Sequence, residues 1–107
     1  MTSLERVIAV LNHQEPDHVP AYPLCNSISR IYTGIDYAEW TLNEEKCAES
    51  IIKATEELGL DVICSLVDLS VEAADWGMKM RYPTDAAAGP DTKEHFITKP
   101  EDFDKVI

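Results

Sequence analysis

Asp61-Val62-Ile63-Cys64-Ser65-Leu66-Val67-Asp68-Leu69-Ser70-Val71-Glu72-Ala73-Ala74-Asp75-Trp76-Gly77 is the stretch on which the reading of this chain turns. Residues 62–67 are apolar and rich in β-branched side chains without alternation, the pattern of a strand buried on both faces of a parallel sheet. The run stops at an acid, Asp68. Leu69, Ala73 and Trp76 then recur at helical spacing, and Gly77 supplies the stop. A carboxylate at the C-terminal end of a buried parallel strand stands where α/β enzymes carry their chemistry. Asp68 is therefore the leading candidate for a catalytic residue, and capping of the following helix is the competing role for the same side chain.

Upstream, Thr41 and Glu44 carry the signature of a capping box, and Cys47, Ile51, Ala54, Thr55 and Leu58 follow on one face of a helix predicted over residues 43–58. Gly59 falls where a left-handed C-cap belongs, and Leu60 leads straight into Asp61. Residues 19–24 form a short apolar run containing Pro20 and Pro23, which confines it to an edge strand or to pairing that avoids the prolines. Strand, helix and strand thus succeed one another as in a right-handed βαβ unit. Before it, Thr2 and Glu5 form a capping box ahead of Leu4, Val7, Ile8 and Leu11, predicting a helix over residues 3–13 that Pro16 ends. Residues 26–32 are weakly amphipathic, with Gly34 as terminator.

Downstream, Met78 to Tyr82 alternates apolar and basic residues as a half-exposed strand does, and residues 93–97 are the expected antiparallel partner across a loop at 83–90. Thr98 and Glu101 form a third capping box with Pro100 in the first turn, ahead of Phe103, Val106 and Ile107. A helix showing only its first turn and a half at Ile107 reads as part of a longer protein. There is no internal repeat and no low-complexity tract.

The fold class is α/β. The chain of 107 residues is 45% hydrophobic and 27% charged, enough for one core. Twenty acids against nine bases give a net charge of -11, with no cluster of Lys or Arg, which argues against nucleic acid or an anionic membrane as partner. The N-terminus lacks the layout of a signal peptide, and no 18-residue apolar run exists, so a cytoplasmic location is expected. Cys25, Cys47 and Cys64 are widely spaced and odd in number, which reads as reduced thiols rather than a disulfide framework.

Glu72, Asp75 and Asp85 add acids near Asp68, and a solvated face accounts for them best. His13, His18 and His95 show no ligand spacing, so no metal site is expected in this segment. Trp40, Trp76, Tyr22, Tyr32 and Tyr82 are read as core and rim. Arg30 and Asn26 follow the first predicted strand, at the same end of the sheet as Asp68, and are candidate substrate-binding residues. Arg30 is suited to receive a carboxylate in bidentate fashion, or else to pair with one of the surplus acids. Gly-rich phosphate loops and nucleophile-elbow motifs are absent.

Glu5-Arg6-Val7-Ile8-Ala9-Val10-Leu11-Asn12-His13-Gln14-Glu15-Pro16-Asp17-His18-Val19-Pro20 resembles the N-terminal opening of the uroporphyrinogen decarboxylase superfamily, most closely its corrinoid-linked methyltransferase branch. In that branch a helix is followed by a Glu-Pro-Asp-Arg-Val-Pro-like turn into the first barrel strand. Asp68 with Glu72-Ala73 and Gly77 is similar to the superfamily's second signature, and Gly34-Ile35-Asp36-Tyr37 and Thr98-Lys99-Pro100-Glu101-Asp102-Phe103 fit the same branch.

The resemblance implies the N-terminal portion of a TIM (β/α)8 barrel, incomplete in this chain, since a complete barrel takes roughly 200 to 250 residues or more. Residues 1–107 would form its first segment, inactive alone and prone to oligomerise through unpaired strand edges. It places Asp68 on the decarboxylases' catalytic aspartate, which binds pyrrole nitrogens and stabilises a cationic intermediate. The decarboxylases also carry an Arg-x-x-x-Arg pattern after the first strand, and here only Arg30 is present. The methyltransferase branch implies a zinc- and corrinoid-dependent enzyme moving a methyl group between a corrinoid protein and a thiol or pterin acceptor. Its His and Cys zinc ligands come from later in the barrel, so no cofactor is expected within this segment. Porphyrin decarboxylation and a non-catalytic, self-associating α/β module are the alternatives.

Overall fold

A computed structural model of the chain describes residues 1–65 and 68–106. Its α-helices are α1 (Ser3–Leu11), α2 (Tyr37–Leu42), α3 (Glu44–Leu58) and α4 (Val71–Asp75), with 3-10 turns at Ser27–Tyr32 and Pro100–Lys105 and short strands β1 (Met80–Arg81) and β2 (Gly89–Pro90).

Helix α1 starts on the expected box: Glu5 N donates to Thr2 Oγ1 at 3.2 Å and Thr2 N to Glu5 Oε2 at 2.7 Å. It ends two residues earlier than predicted. His13 takes the left-handed conformation at φ 57°, and Gln14 N and His13 N close back on Ala9 O and Val10 O at 2.8 and 3.0 Å. This is the closure that glycine usually provides at a helix end. Arg6 and Ala9 are the buried residues of α1, whereas Leu4, Ile8 and Leu11 form an exposed stripe.

The capping box at Thr41 and Glu44 does not form. Asp36 caps an additional helix by accepting from Glu39 N at 2.8 Å, so Thr41 is already helical within α2. The break falls at Asn43, extended at φ -119° and ψ 104°, whose side chain accepts from Lys46 N at 3.0 Å to start α3. The predicted end is observed: Gly59 is left-handed at φ 62°, and Leu60 N bonds Thr55 O at 3.0 Å. Helix α3 packs against α2 and against the 3-10 turn at Ser27–Tyr32. Between them lies the core, made of Trp40 (1% exposed), Cys47 and Ala54 with Ser29 and Ser50. Its polar members are paired: Trp40 Nε1 donates to Ser29 Oγ at 3.1 Å, and Ser50 Oγ meets Thr33 Oγ1 at 2.6 Å and Lys46 O at 2.7 Å. Cys25, Cys47 and Cys64 are free thiols.

Residues 19–24 and 62–65 form neither helix nor ladder strand, and residues 66 and 67 of the second predicted strand lie outside the described residues. The two segments meet where Asp61 N donates to Ala21 O at 2.9 Å. In a parallel pair the next donor would be residue 23, and Pro23 has no N–H to give. Proline thus stops the ladder that the apolar pattern predicts.

The strand at Met78 to Tyr82 is observed as β1, but its antiparallel partner is β2, with Met80 opposite Pro90 and Arg81 opposite Gly89, not residues 93–97. An Asx turn diverts the chain first: Lys93 N donates to Asp91 Oδ1 at 3.1 Å and Glu94 N to Asp91 O at 3.2 Å. The Lys79–Glu94 ion pair at 2.8 Å holds the turn against β1. At the end of the chain the box is closed by Asp102 rather than Glu101. The Asp102 carboxylate accepts from Thr98 N and Thr98 Oγ1 at 2.8 Å and from Lys99 N at 3.2 Å, while Phe103 is exposed.

The radius of gyration is 18.3 Å, against about 13 Å for a compact domain of this length, and the principal extents are 55 × 34 × 19 Å. The chain is an open arrangement in which one helical unit is packed and much apolar surface has no covering partner among the described residues.

Candidate functional site

Two elements of the site are supplied by segments that lie beside each other at Ala21 and Asp61. Ala21 lies beside Asp61, and five and seven residues later Asn26 and Asp68 line one cavity of about 340 Å³. The two segments therefore run in the same direction, with α3 between them in the chain. Tyr37 and Trp40 from α2, Ser70, and residues 87–90 before and within β2 complete the wall.

Asp68 divides its two carboxylate oxygens. Its Oδ1 accepts from Ser70 N at 2.6 Å, an Asx turn that delays the start of α4 to Val71. Leu69 is consequently 87% exposed and does not join the apolar stripe predicted for it, and Trp76 is also exposed. Among the described residues no donor reaches Asp68 Oδ2. Asp68 also borders an adjoining space of about 230 Å³ with Asp75 and Tyr82, whereas Glu72 and Asp85 line neither.

Asn26 precedes the 3-10 turn, and its Oδ1 is buried without a hydrogen-bond partner among the described residues. Arg30 stands one turn on. Its guanidinium lies 4.1 Å from the centroid of the Tyr37 ring, its Nη1 donates to Ile35 O at 3.4 Å, and its Nε is buried with no partner among the described residues. Arg30 does not line the cavity itself but backs Tyr37, which does. Among the described residues no carboxylate forms an ion pair with Arg30, so the expectation that it neutralises a surplus acid is not met. Stacking on a ring face leaves a guanidinium charged and its edge able to donate.

Sequence reasoning missed Tyr37 as the platform under Arg30. It also missed a charged corner at the far end of the two segments. Arg6, 7% exposed, is gripped by Asp17 (Nε to Oδ1 2.7 Å, Nη2 to Oδ2 2.9 Å), donates through Nη1 to Asp61, and reaches Met1 O at 3.0 Å. Asp61, with 3% of its side chain exposed, also accepts from Ala21 N at 2.7 Å. The bidentate fork holds the Arg6 charge well above its usual range and the Asp17 carboxyl well below its own. The Ala21 N–H chiefly, with Ser3 and Arg6, lowers Asp61. The available signal was a lone arginine sharing the buried face of α1 with Ala9.

Among the described residues no group of three or more His, Cys, Asp or Glu side chains is placed to hold a metal ion, and no helix is long and apolar enough to cross a membrane. His13 is the left-handed residue that follows the Asn12 C-cap of α1, and His18 Nδ1 lies 3.5 Å from Asp17 Oδ1.

The family model described as uroporphyrinogen decarboxylase (URO-D) matches residues 2–107. The chain belongs to the URO-D family. No curated protein and no solved structure matches it significantly. Family membership covers both stretches on which the resemblance rested, residues 5–20 and 68–77, and so connects the Arg6 corner with the Asp68 cavity inside one URO-D segment.

Proposed function

We propose that this URO-D family chain is the N-terminal segment of a corrinoid-dependent methyltransferase, moving a methyl group between a corrinoid protein and a thiol or pterin acceptor. The observation that supports this reading is the shared cavity of Asn26 and Asp68, backed by an arginine without a carboxylate partner among the described residues. Asp68 Oδ2 is the group that takes the acceptor's proton or balances positive charge beside it. Asn26 orients the acceptor by hydrogen bonding, and the edge of Arg30 answers an anionic group on it. Zinc and the corrinoid belong to the proposed reaction. The described residues offer no ligand set for the metal, and the contribution of Asp68, Asn26 and Arg30 is one of charge and hydrogen bonding.

A second reading, decarboxylation of a porphyrinogen, is favoured by the family's own description. It asks for several cations to hold the substrate carboxylates, and Arg30 is the one arginine between Arg6 and Arg81. The test is to incubate the full protein with methylcobalamin and a thiol, and separately with uroporphyrinogen. Demethylation of methylcobalamin is expected, slowed about 100-fold by Asp68→Asn, within the usual range for removal of a proton-transfer group. Turnover of uroporphyrinogen with no methyl transfer overturns the proposal in favour of the second reading.

A further inference from the structure

Among the described residues, the segments that carry Asn26 and Asp68 have no continuous ladder to set their register. A residue in a strand points its N–H and C=O to the same neighbour, and here Ala21 points both at Asp61. The carbonyl accepts from Asp61 N in the ordinary way. The N–H is received by the Asp61 carboxylate instead of by a backbone carbonyl, and the next donor on that side of the segment is removed by Pro23. Among the described residues, register along this pair therefore rests on Asp61, through one backbone bond and one side-chain bond. A slip of one residue would turn every following side chain to the opposite face.

Asp61 in turn is held by Arg6, whose other arms are taken by Asp17 and Met1 O. Asp17 also receives the N-terminal ammonium at 3.3 Å, so both carboxylates lean on the α1 end of the chain. We propose that Arg6 is a positioning residue for the Asn26–Asp68 cavity: through Asp61 it sets the register of the first segment against the second, at the end of the pair remote from the site. The importance of that cavity rests on the proposed function, but the register itself is measured without turnover.

The experiment is amide hydrogen exchange on the full protein, wild type and with Arg6→Gln or Arg6→Lys. Four hydrogen-bonded amides report: Ala21 and Asp61 at the corner, Ser29 on Asn26 O, and Ser70 on Asp68 Oδ1. Arg6→Gln is expected to speed exchange at all four about tenfold or more while Leu58 and its neighbours in α3 stay unchanged, and Arg6→Lys, which keeps the charge without the fork, is expected to restore part of the protection. Acceleration confined to Ala21 and Asp61, with Ser29 and Ser70 unmoved, overturns the proposal and reduces Arg6 to a staple for α1. Should Arg6→Gln unfold the chain, exchange of the wild type in rising denaturant decides: the four amides open together if Arg6 sets the register, and Ser70 opens independently of Asp61 if it does not. Loss of methyl transfer has no bearing on these outcomes, so the two proposals fail separately.

Discussion

Between residues 27 and 58 the chain is held by volume, whereas around Arg6 it is held by charge. In the first region Trp40, Cys47 and Ala54 are buried against the small side chains Ser29 and Ser50, and each buried hydroxyl or indole N–H has a partner. In the second a guanidinium joins two aspartates and a backbone carbonyl, while the apolar stripe of α1 faces outward. Packing is non-directional and tolerates adjustment among neighbours, so it suits the helical unit that lies between the two segments. A forked ion pair is directional and fixes one arrangement, which suits the corner where register must be set. The cavity of Asn26 and Asp68 sits between these two kinds of support.

The largest expected effect strikes the packed region. Trp40→Ala should lower the stability measured by denaturant unfolding by about 3–5 kcal/mol, because it empties a fully buried site. Trp40→Phe sharpens the comparison, since it keeps most of the volume and removes only the Nε1 bond to Ser29; its cost should be clearly smaller. Equal costs for the two would mean that the helical unit, too, is held mainly by polar contacts.

An intermediate effect separates the regions by pH. Asp17 and Asp61 titrate below their ordinary value of 3.8, so their stabilisation is fully present above that value and is lost as pH falls through the lowered folded values. The midpoint of thermal unfolding should hold steady above about pH 5 and fall below about pH 4. Arg6→Gln should lower the midpoint by roughly 5–10 °C at neutral pH and flatten the acid limb, leaving the share that Ala21 N–H contributes through Asp61. An unchanged acid limb in Arg6→Gln would show that the corner does not govern it; Asp102, held low by Lys105 first and then by Thr98, is the next carboxylate to test.

The smallest effects concern the two helix ends. Gly59→Ala meets no atom within 4 Å, so its cost of about 1 kcal/mol would come from the left-handed backbone alone. His13→Gly should do the reverse at the end of α1, a gain of at most about 1 kcal/mol, because His13 already occupies the conformation that glycine prefers. Thermal unfolding of the two variants side by side checks both signs.

Elements governed by neighbours along the chain are legible in the sequence. The Thr2–Glu5 box, the body of α3, its stop at Gly59 and the turn at Gly77 all depend on groups within a few residues of one another. Misreadings arise where two local signals compete. Thr41 and Asn43 both qualify as N-caps, and the extra turn started by Asp36 decides for Asn43. Glu101 and Asp102 both offer a carboxylate near Thr98, and the shorter side chain takes the bonds. The partner of β1 differs from the expected one because Asp91 turns the chain before residues 93–97 are reached.

By itself, then, the sequence determined the helices with their caps, the acid at position 68, and membership of the URO-D family over residues 2–107. Only the tertiary structure decided that Asn26 and Asp68 open on one cavity, that Arg30 lies on Tyr37 without a carboxylate partner among the described residues, and that Arg6 grips Asp61 across 55 positions of chain. The physical reason is range. Capping and helical periodicity are settled within one or two turns, whereas a cavity and an ion pair between distant residues exist only after packing has brought the segments together.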